Sequence, residues 1–470
     1  MKELLIDLHH DSQKALYEQI YEFICKEIAD GKISPGEKLP STRFMAKNLQ
    51  ISRSTVEFAY DQLVAEGYIA TKSRAGYYAC DVSGLYGWKK EARDGTVERL
   101  AEKTEHRECR IVFSPFRIDE AHFPFRVWQK ISRSVSWEDD AAFFHAGDSR
   151  GDENLRCAIS SYLHRARGVN CGPEQIILGA GNEYLLLLLS QILGSNKVVA
   201  MEDYTYIQAS RTFENMEYIV SAVEMDEYGM QMKEVRRLGA DILYVMPSHQ
   251  FPLGTVMPMK RRLELLKWAG EQEERYIIED DHDSEFRYKG KPIPSLQGMD
   301  GSSRVVYIGT FSKSIAQSVR VSYMVLPKGL MKKYFDNCGF YSTTVPRMQQ
   351  EILYRFLLDG SFERHLNRMK NSYKAKQEYL LRLLKNEPWV KRIYGENAGL
   401  HVNVEINTVL SEAKLIAAAE EQGVKLFGLS AYRLHDSGKK RTPTLLLGYG
   451  NLDEKQMEEG IRILHDILKK

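Results

Sequence analysis

From about residue 111 onward, short apolar runs of strand length alternate with segments whose apolar residues recur at helical spacing. That alternation constrains the chain more than any other feature. The runs are IILGA, KVVAMED, YIVSAV, ADILYVM, YIIEDD, RVVYIGT and VSYMVL, interleaved with segments such as EYLLLLLSQIL and RRLELLKWA. Strands separated by helices are joined by crossovers, so the sheet they form is mostly parallel with helices over its faces. The expected fold class is therefore α/β. In open sheets of this kind ligands sit beyond the carboxyl ends of the strands, which makes polar residues at strand ends the first candidates for a site.

A smaller unit of different character comes first. Leu16, Ile20, Phe23, Ile24 and Ile28 recur at helical spacing up to Gly31, where a helix would stop. The stretch SPGEKLPSTR then turns, with Ser41 or Thr42 placed to cap a second helix through Phe44, Met45 and Leu49. Ser52 is placed to cap a third, whose buried face would be Val56, Ala59, Tyr60 and Leu63, closing at Gly67. YIATKSRAGYYAC reads as a hairpin with Lys72, Arg74 and Gly76 at its tip. Three helices and a hairpin make a winged helix-turn-helix. Residues 1–80 are assigned to this head, the charged, aliphatic-poor stretch 81–109 to a linker, and 110–470 to the α/β body.

The 470 residues carry 65 Lys and Arg against 64 Asp and Glu, so a polyanion partner must be recognised by a local patch rather than by bulk charge. Such a patch exists in the head. Between Lys32 and Arg53 lie five basic residues and only Glu37. A face made of Lys38, Arg43, Lys47, Arg53, Lys72 and Arg74 could neutralise phosphates while the third helix enters a major groove about 12 Å wide. The six cysteines form no C-x-x-C pair, which points to a reducing compartment. The N-terminus lacks a signal-peptide pattern, and no apolar run approaches the roughly 20 residues that span a bilayer. A soluble cytoplasmic protein is expected.

At the strand ends of the body, Lys313 follows RVVYIGTFS, with Thr310 and Ser312 before it and Arg320 after it. A lysine desolvated after a buried strand has a lowered pKa and favours Schiff-base chemistry, while a guanidinium nearby suits a phosphate. Asp280 ends YIIEDD and could hold a heteroaromatic nitrogen protonated. A metal site built from Glu279, Asp280, Asp281 and Asp283 is disfavoured, because consecutive strand residues point to opposite faces; no metal is expected. In ILGAGNEYLLLLL, Gly181, Asn182 and Glu183 stand where a strand passes into a helix whose first N–H groups could cradle phosphate.

With these residues in view, two resemblances emerge. Ala15 to Cys80, with LPSTR, ISRSTV and AEGY, resembles the DNA-binding domain of GntR-type bacterial repressors. The resemblance implies contacts to double-stranded operator DNA by Arg43, Arg53, Ser54, Thr55 and the wing around Arg74 and Gly76. Family members often carry Arg at the position of Glu57. From about Phe113 onward, HFPFRVW, MEDYTY, MPSHQFPLGTVMP, EDDHDSEFRY and GTFSK with Arg320 resemble a fold-type I pyridoxal phosphate enzyme of the aminotransferase class. By that resemblance Lys313 forms the internal aldimine, Asp280 pairs with the pyridine nitrogen and Tyr206 stacks on the ring. Asn182, Glu183, Thr310, Ser312 and Arg320 would hold the phosphate.

A GntR-like head fused to an aminotransferase-like body is similar to the MocR/GabR family of bacterial transcription regulators. This implies a pyridoxal phosphate-dependent regulator working as a head-to-tail homodimer, with an amino compound or the cofactor itself as effector. The alternative is a working aminotransferase with an accessory head; residual transamination fits either reading. Departures from the family pattern are His282 in place of Tyr, where the ring can still reach the cofactor's phenolate oxygen; Tyr204 and Thr205 in place of Pro and Gly; and Gln208 in place of an Arg. An effector carboxylate would be anchored by Arg433 or Arg441 near the last strand.

Overall fold

The computed structural model describes residues 6, 8–9, 14–72, 76–82, 109–135, 141–290, 293–435 and 442–469. The chain divides into two compact units, Met1–Glu105 and His106–Lys470. The proposed linker falls almost wholly outside the described residues, as do Arg74 and Arg441.

The first unit contains helices α1 (Leu16–Ala29), α2 (Thr42–Leu49) and α3 (Arg53–Ala65), then strands β1 (Ile69–Lys72) and β2 (Gly76–Ala79). Its helix starts are set by hydroxyl caps. Ser41 Oγ accepts from the Phe44 N–H at 3.2 Å, and Ser52 Oγ accepts from the Thr55 N–H at 3.2 Å. Each cap satisfies an N–H that the helix itself leaves unpaired. Ser41, not Thr42, is the cap of α2. The antiparallel hairpin pairs Ile69 with Ala79 and Lys72 with Gly76. Ile20, Ile24, Val56, Ala59, Tyr60 and Leu63 are fully buried between the helices, and the Tyr60 hydroxyl donates to the Pro40 carbonyl at 3.0 Å.

The second unit is built on a seven-stranded sheet. Its strands in chain order are β3 (Ile176–Gly179), β4 (Val198–Glu202), β5 (Ile219–Val223), β6 (Ile242–Val245), β7 (Tyr276–Asp281), β8 (Val305–Thr310) and β9 (Ser322–Val325). All seven apolar runs named from the sequence are strands of this one sheet. Their spatial order is β3-β9-β8-β7-β6-β4-β5, parallel throughout except for β9, which is antiparallel to both neighbours. Chain length explains the exception. Only residues 311–321 separate β8 from β9, and a parallel return needs a crossover of about a dozen residues or more. The central strands are buried on both faces, which is why they read as continuous apolar runs rather than as alternating ones.

Helix α4 (Glu153–Arg167) packs near β3, and α5 (Asn182–Leu193) follows β3 after a two-residue turn, burying Leu185, Leu186, Leu188 and Leu189. Helix α6 (Met259–Gly270) leads into β7. A second, antiparallel sheet has the order β10 (Val390–Tyr394), β11 (His401–Ile406), β13 (Thr444–Gly448), β12 (Phe427–Gly428). The long helix α7 (Ser361–Lys385) and α8 (Glu454–Leu468) cover it through Met369, Tyr373, Leu380, Met457, Ile461 and Leu464. Among the described residues, no helix is long and apolar enough to cross a membrane.

Candidate functional site

The end of β7 delivers three successive carboxylates in different directions, as the pleat requires. Glu279 accepts from the backbone N–H groups of Leu296 and Gln297, each at 2.8 Å. Asp281 accepts from Arg167 Nε at 2.8 Å and from the Tyr307 hydroxyl at 2.6 Å. Asp280 alone lines a cavity of about 340 Å³ at the carboxyl edge of the sheet. There it accepts from Asn182 Nδ2 at 2.9 Å and from the Tyr244 hydroxyl. Burial raises its pKa, opposed by His282 and by those two donors. A buried carboxylate held this way is stabilised as an anion by any cation brought against it.

Lys313 enters the same cavity from the turn after β8. Its ammonium is 3.9 Å from Asp283 Oδ2, with the rings of Phe251 and Phe116 centred 5.7 and 6.0 Å away. Burial lowers its pKa, with Asp283 and Asp280 pulling the other way. Asp283 is itself tightly held. Burial works against its charge, but His249 at 2.9 Å, His282 and Lys313 outweigh that and keep it well below the usual carboxylate range. His282 Nε2 lies 3.3 Å from Asp283 Oδ2 in an alignment that makes no hydrogen bond. The ligand atoms of His249, His282 and Asp283 fall within 4.8 Å of one another, a grouping able to hold a cation. His401 stands behind them, pushed down to about 3 by burial, so its neutral ring can donate from Nε2 to the Pro252 carbonyl at 2.8 Å.

The far end of the cavity is the start of α5. Arg320 Nη2 donates to the Ala180 carbonyl at 3.1 Å and lies 3.3 Å from Glu183 Oε2. Gly181 is required here: its φ is +121°, and a Cβ would sit 2.1 Å from Arg320 Nη2. The Tyr206 hydroxyl donates to Glu183 Oε1 at 2.7 Å. Thr310 Oγ1 accepts from the Ser312 N–H at 3.1 Å, which fixes the turn that carries Lys313.

Lys313, Asp280, His282, Tyr206, Asn182, Glu183, Thr310, Ser312 and Arg320, dispersed over 139 positions of sequence, all line this one cavity, and Gln208 lines it with them. Sequence reasoning missed Phe116, Met246 and Phe251, which form much of its apolar wall, the lining residue Gln317, and Tyr244 beneath Asp280. Tyr244 had a usable signal, since a tyrosine inside a buried strand must find a partner for its hydroxyl. Phe116 had none. Arg433 lies elsewhere: its Nε is 3.2 Å from Asp203 Oδ2, and it lines a separate cavity with Tyr204, Glu405 and Glu412.

Fit to a phosphorylated pyridine can be judged from unsatisfied groups. Asn182 Oδ1 and His282 Nε2 are buried without hydrogen-bond partners, Asp280 is a buried carboxylate without an ion pair, and Lys313 is a desolvated amine. A group offering a ring cation, a phenolic oxygen, an aldehyde and a phosphate meets this donor set. The residues fit pyridoxal phosphate.

In the first unit, α3 presents Arg53, Ser54 and Thr55 at its start. Ser52 Oγ is 2.9 Å from Ser54 Oγ and 2.7 Å from Thr55 Oγ1, and Arg53 Nε donates to Glu57 Oε1 at 2.7 Å. Arg43 is exposed on α2. Gly76, at φ +103°, opens β2, with Lys38 and Lys72 over the Tyr78 ring at 5.8 and 4.6 Å. These positions all belong to the first compact unit.

Comparison with known proteins matches residues 16–78 to the gntR family of bacterial regulatory proteins and residues 116–464 to aminotransferase class I and II. The HTH-type transcriptional regulator YdeL of Bacillus subtilis (strain 168) is 38% identical, over 96% of this chain and 96% of its own. The probable rhizopine catabolism regulatory protein MocR of Rhizobium meliloti is 31% identical, over 98% of this chain and 95% of its own. Among solved structures, an archaeal alanine:glyoxylate aminotransferase superposes with a TM-score of 0.69 at 24% identity, covering 76% of this chain and 90% of that one.

Proposed function

Since this chain belongs to the MocR-type transcription regulators, in which a gntR-family head and an aminotransferase class I and II body form one polypeptide, we propose that its body carries pyridoxal phosphate on Lys313 and that an amino compound, or the cofactor itself, adjusts the head's grip on DNA. One observation carries the reading: Lys313 and Arg320 converge on a single cavity with Asp280 from a neighbouring strand and with Asn182 and Tyr206, more than 100 positions earlier in the chain. When bound, pyridoxal phosphate supplies an aldehyde that condenses with primary amines and a ring that withdraws electrons.

The chain's own residues do the rest. Burial makes the Lys313 amine easier to deprotonate, which an attacking amine requires. Asp280, kept from water and steadied by Asn182 and Tyr244, holds a proton on a ring nitrogen. Arg320, the hydroxyls of Thr310 and Ser312 and the first N–H groups of α5 take the phosphate, where a helix N-terminus favours negative charge. Tyr206 and His282, which line the same cavity, would hold the cofactor's ring and its phenolic oxygen. The working unit in this reading is a head-to-tail homodimer on double-stranded operator DNA.

The test is borohydride reduction of protein incubated with pyridoxal phosphate, followed by peptide mass analysis. The added mass should sit on the peptide that contains Lys313 and vanish in Lys313→Ala. Label spread over surface lysines, with no preference for Lys313, would sink the reading.

A further inference from the structure

Glu183 puts an anion where the reading above needs a phosphate. Its Oε2 is 3.3 Å from Arg320 Nη2 and its Oε1 accepts from Tyr206 at 2.7 Å. Arg320 cannot retreat without losing the Ala180 carbonyl at 3.1 Å, and Gly181 keeps it pressed against the start of α5. Both partners are about half exposed, 53% for Arg320 and 41% for Glu183, so no packing forces the carboxylate to lie there. Its position follows the positive charge of the guanidinium and of the helix start. A phosphate brought to Arg320 meets a carboxylate already on that guanidinium. Like charges a few ångströms apart repel, and the repulsion is only partly screened at a half-exposed site.

We propose that Glu183 is a built-in competitor for the cofactor's phosphate: it shares Arg320 and Tyr206 with that group and weakens the body's hold on phosphorylated pyridoxal. The inference rests on the reading that the Lys313 cavity takes this cofactor. Weak holding has a consequence for a regulator, because a site that is not saturated loads in proportion to supply. The backbone N–H of Glu183 still points to phosphate recognition; its side chain opposes it.

The experiment titrates full-length protein, Glu183→Gln and Glu183→Ala with pyridoxal phosphate and separately with pyridoxal, which lacks the phosphate, and reads intrinsic fluorescence and visible absorption. Circular dichroism confirms that each variant is folded. The preference for pyridoxal phosphate over pyridoxal should rise about tenfold in both variants, the size expected when a like charge leaves a half-exposed site. An unchanged preference in both variants overturns the proposal. A fall in both overturns it too, because it would make Glu183 a residue that positions Arg320 for the phosphate. If no form of the protein, wild type included, takes pyridoxal phosphate onto Lys313, the cofactor reading itself fails, and this inference with it.

Discussion

Burial without a full set of partners marks the chemically loaded residues of this chain, and Glu202 is an instance outside the cavity. It ends β4 at 1% exposure, and its Oε2 has no hydrogen-bond partner. Burial pushes its pKa up to about 8, against the pull of Gln250 and the Met230 N–H. A carboxyl whose folded pKa exceeds its unfolded one binds its proton more tightly when folded, so stability falls as pH rises from the ordinary carboxyl range through that value. Glu202→Gln removes the titration. Thermal melts should show the variant more stable than wild type above about pH 8, with the gain shrinking as pH falls and levelling off below about pH 4, where the wild-type carboxyl is protonated in both states. A gain that does not vary with pH would mean that Glu202 titrates alike in the folded and unfolded chain. Asp280 is raised for the same reason, but it lines a cavity where a cation can offset the cost.

At the scale of elements, α3 shows how local chemistry tunes a face. The Arg53 to Glu57 pair, at (i, i+4) spacing and 2.7 Å, takes up the Nε of Arg53 and sets a carboxylate among the basic groups. Glu57 thus meets Arg53 while its side chain stays 39% exposed. Glu57→Ala should tighten binding to any duplex at low salt, and Arg53→Ala should weaken it and lower the salt slope by about one counterion. Electrophoretic mobility or anisotropy at several salt concentrations decides; a Glu57→Ala that loses DNA would show that the pair positions Arg53 instead. Elements of this kind were legible in the sequence because their signals are local: Ser41 and Ser52 as caps, and each apolar run as a strand. The antiparallel course of β9 was open to deduction from its short connection, residues 311–321. What could not be read was the inner wall of the cavity. Phe116 and Phe251 meet Lys313 only through folding, and aromatic residues in loops carry no period or spacing to mark them. An arginine near the last strand likewise says nothing of which cavity it will line, and Arg433 lines the second one.

Across the whole molecule, the proposed regulation requires a coupling between the cavity in one compact unit and the DNA contacts of the other. Tight binding of a ligand does not suffice, because a ligand with equal affinity for two arrangements shifts neither. The coupling must also be reciprocal: whatever factor a bound amino compound or cofactor imposes on DNA affinity, DNA must impose on the affinity of that ligand. This gives a test that needs no structure of the complex. Titrating pyridoxal phosphate into the protein by calorimetry, with and without saturating operator DNA, should shift its dissociation constant by the same factor by which pyridoxal phosphate shifts the DNA dissociation constant. Typical couplings are about 5- to 150-fold, well within reach of the measurement. Lys313→Ala should abolish both shifts together while leaving the variant able to bind DNA, since the head has its own buried core and its own capped helices. Equal DNA affinity with and without the cofactor, alongside stoichiometric loading of Lys313, would leave the body a passive carrier and place the control in a different ligand.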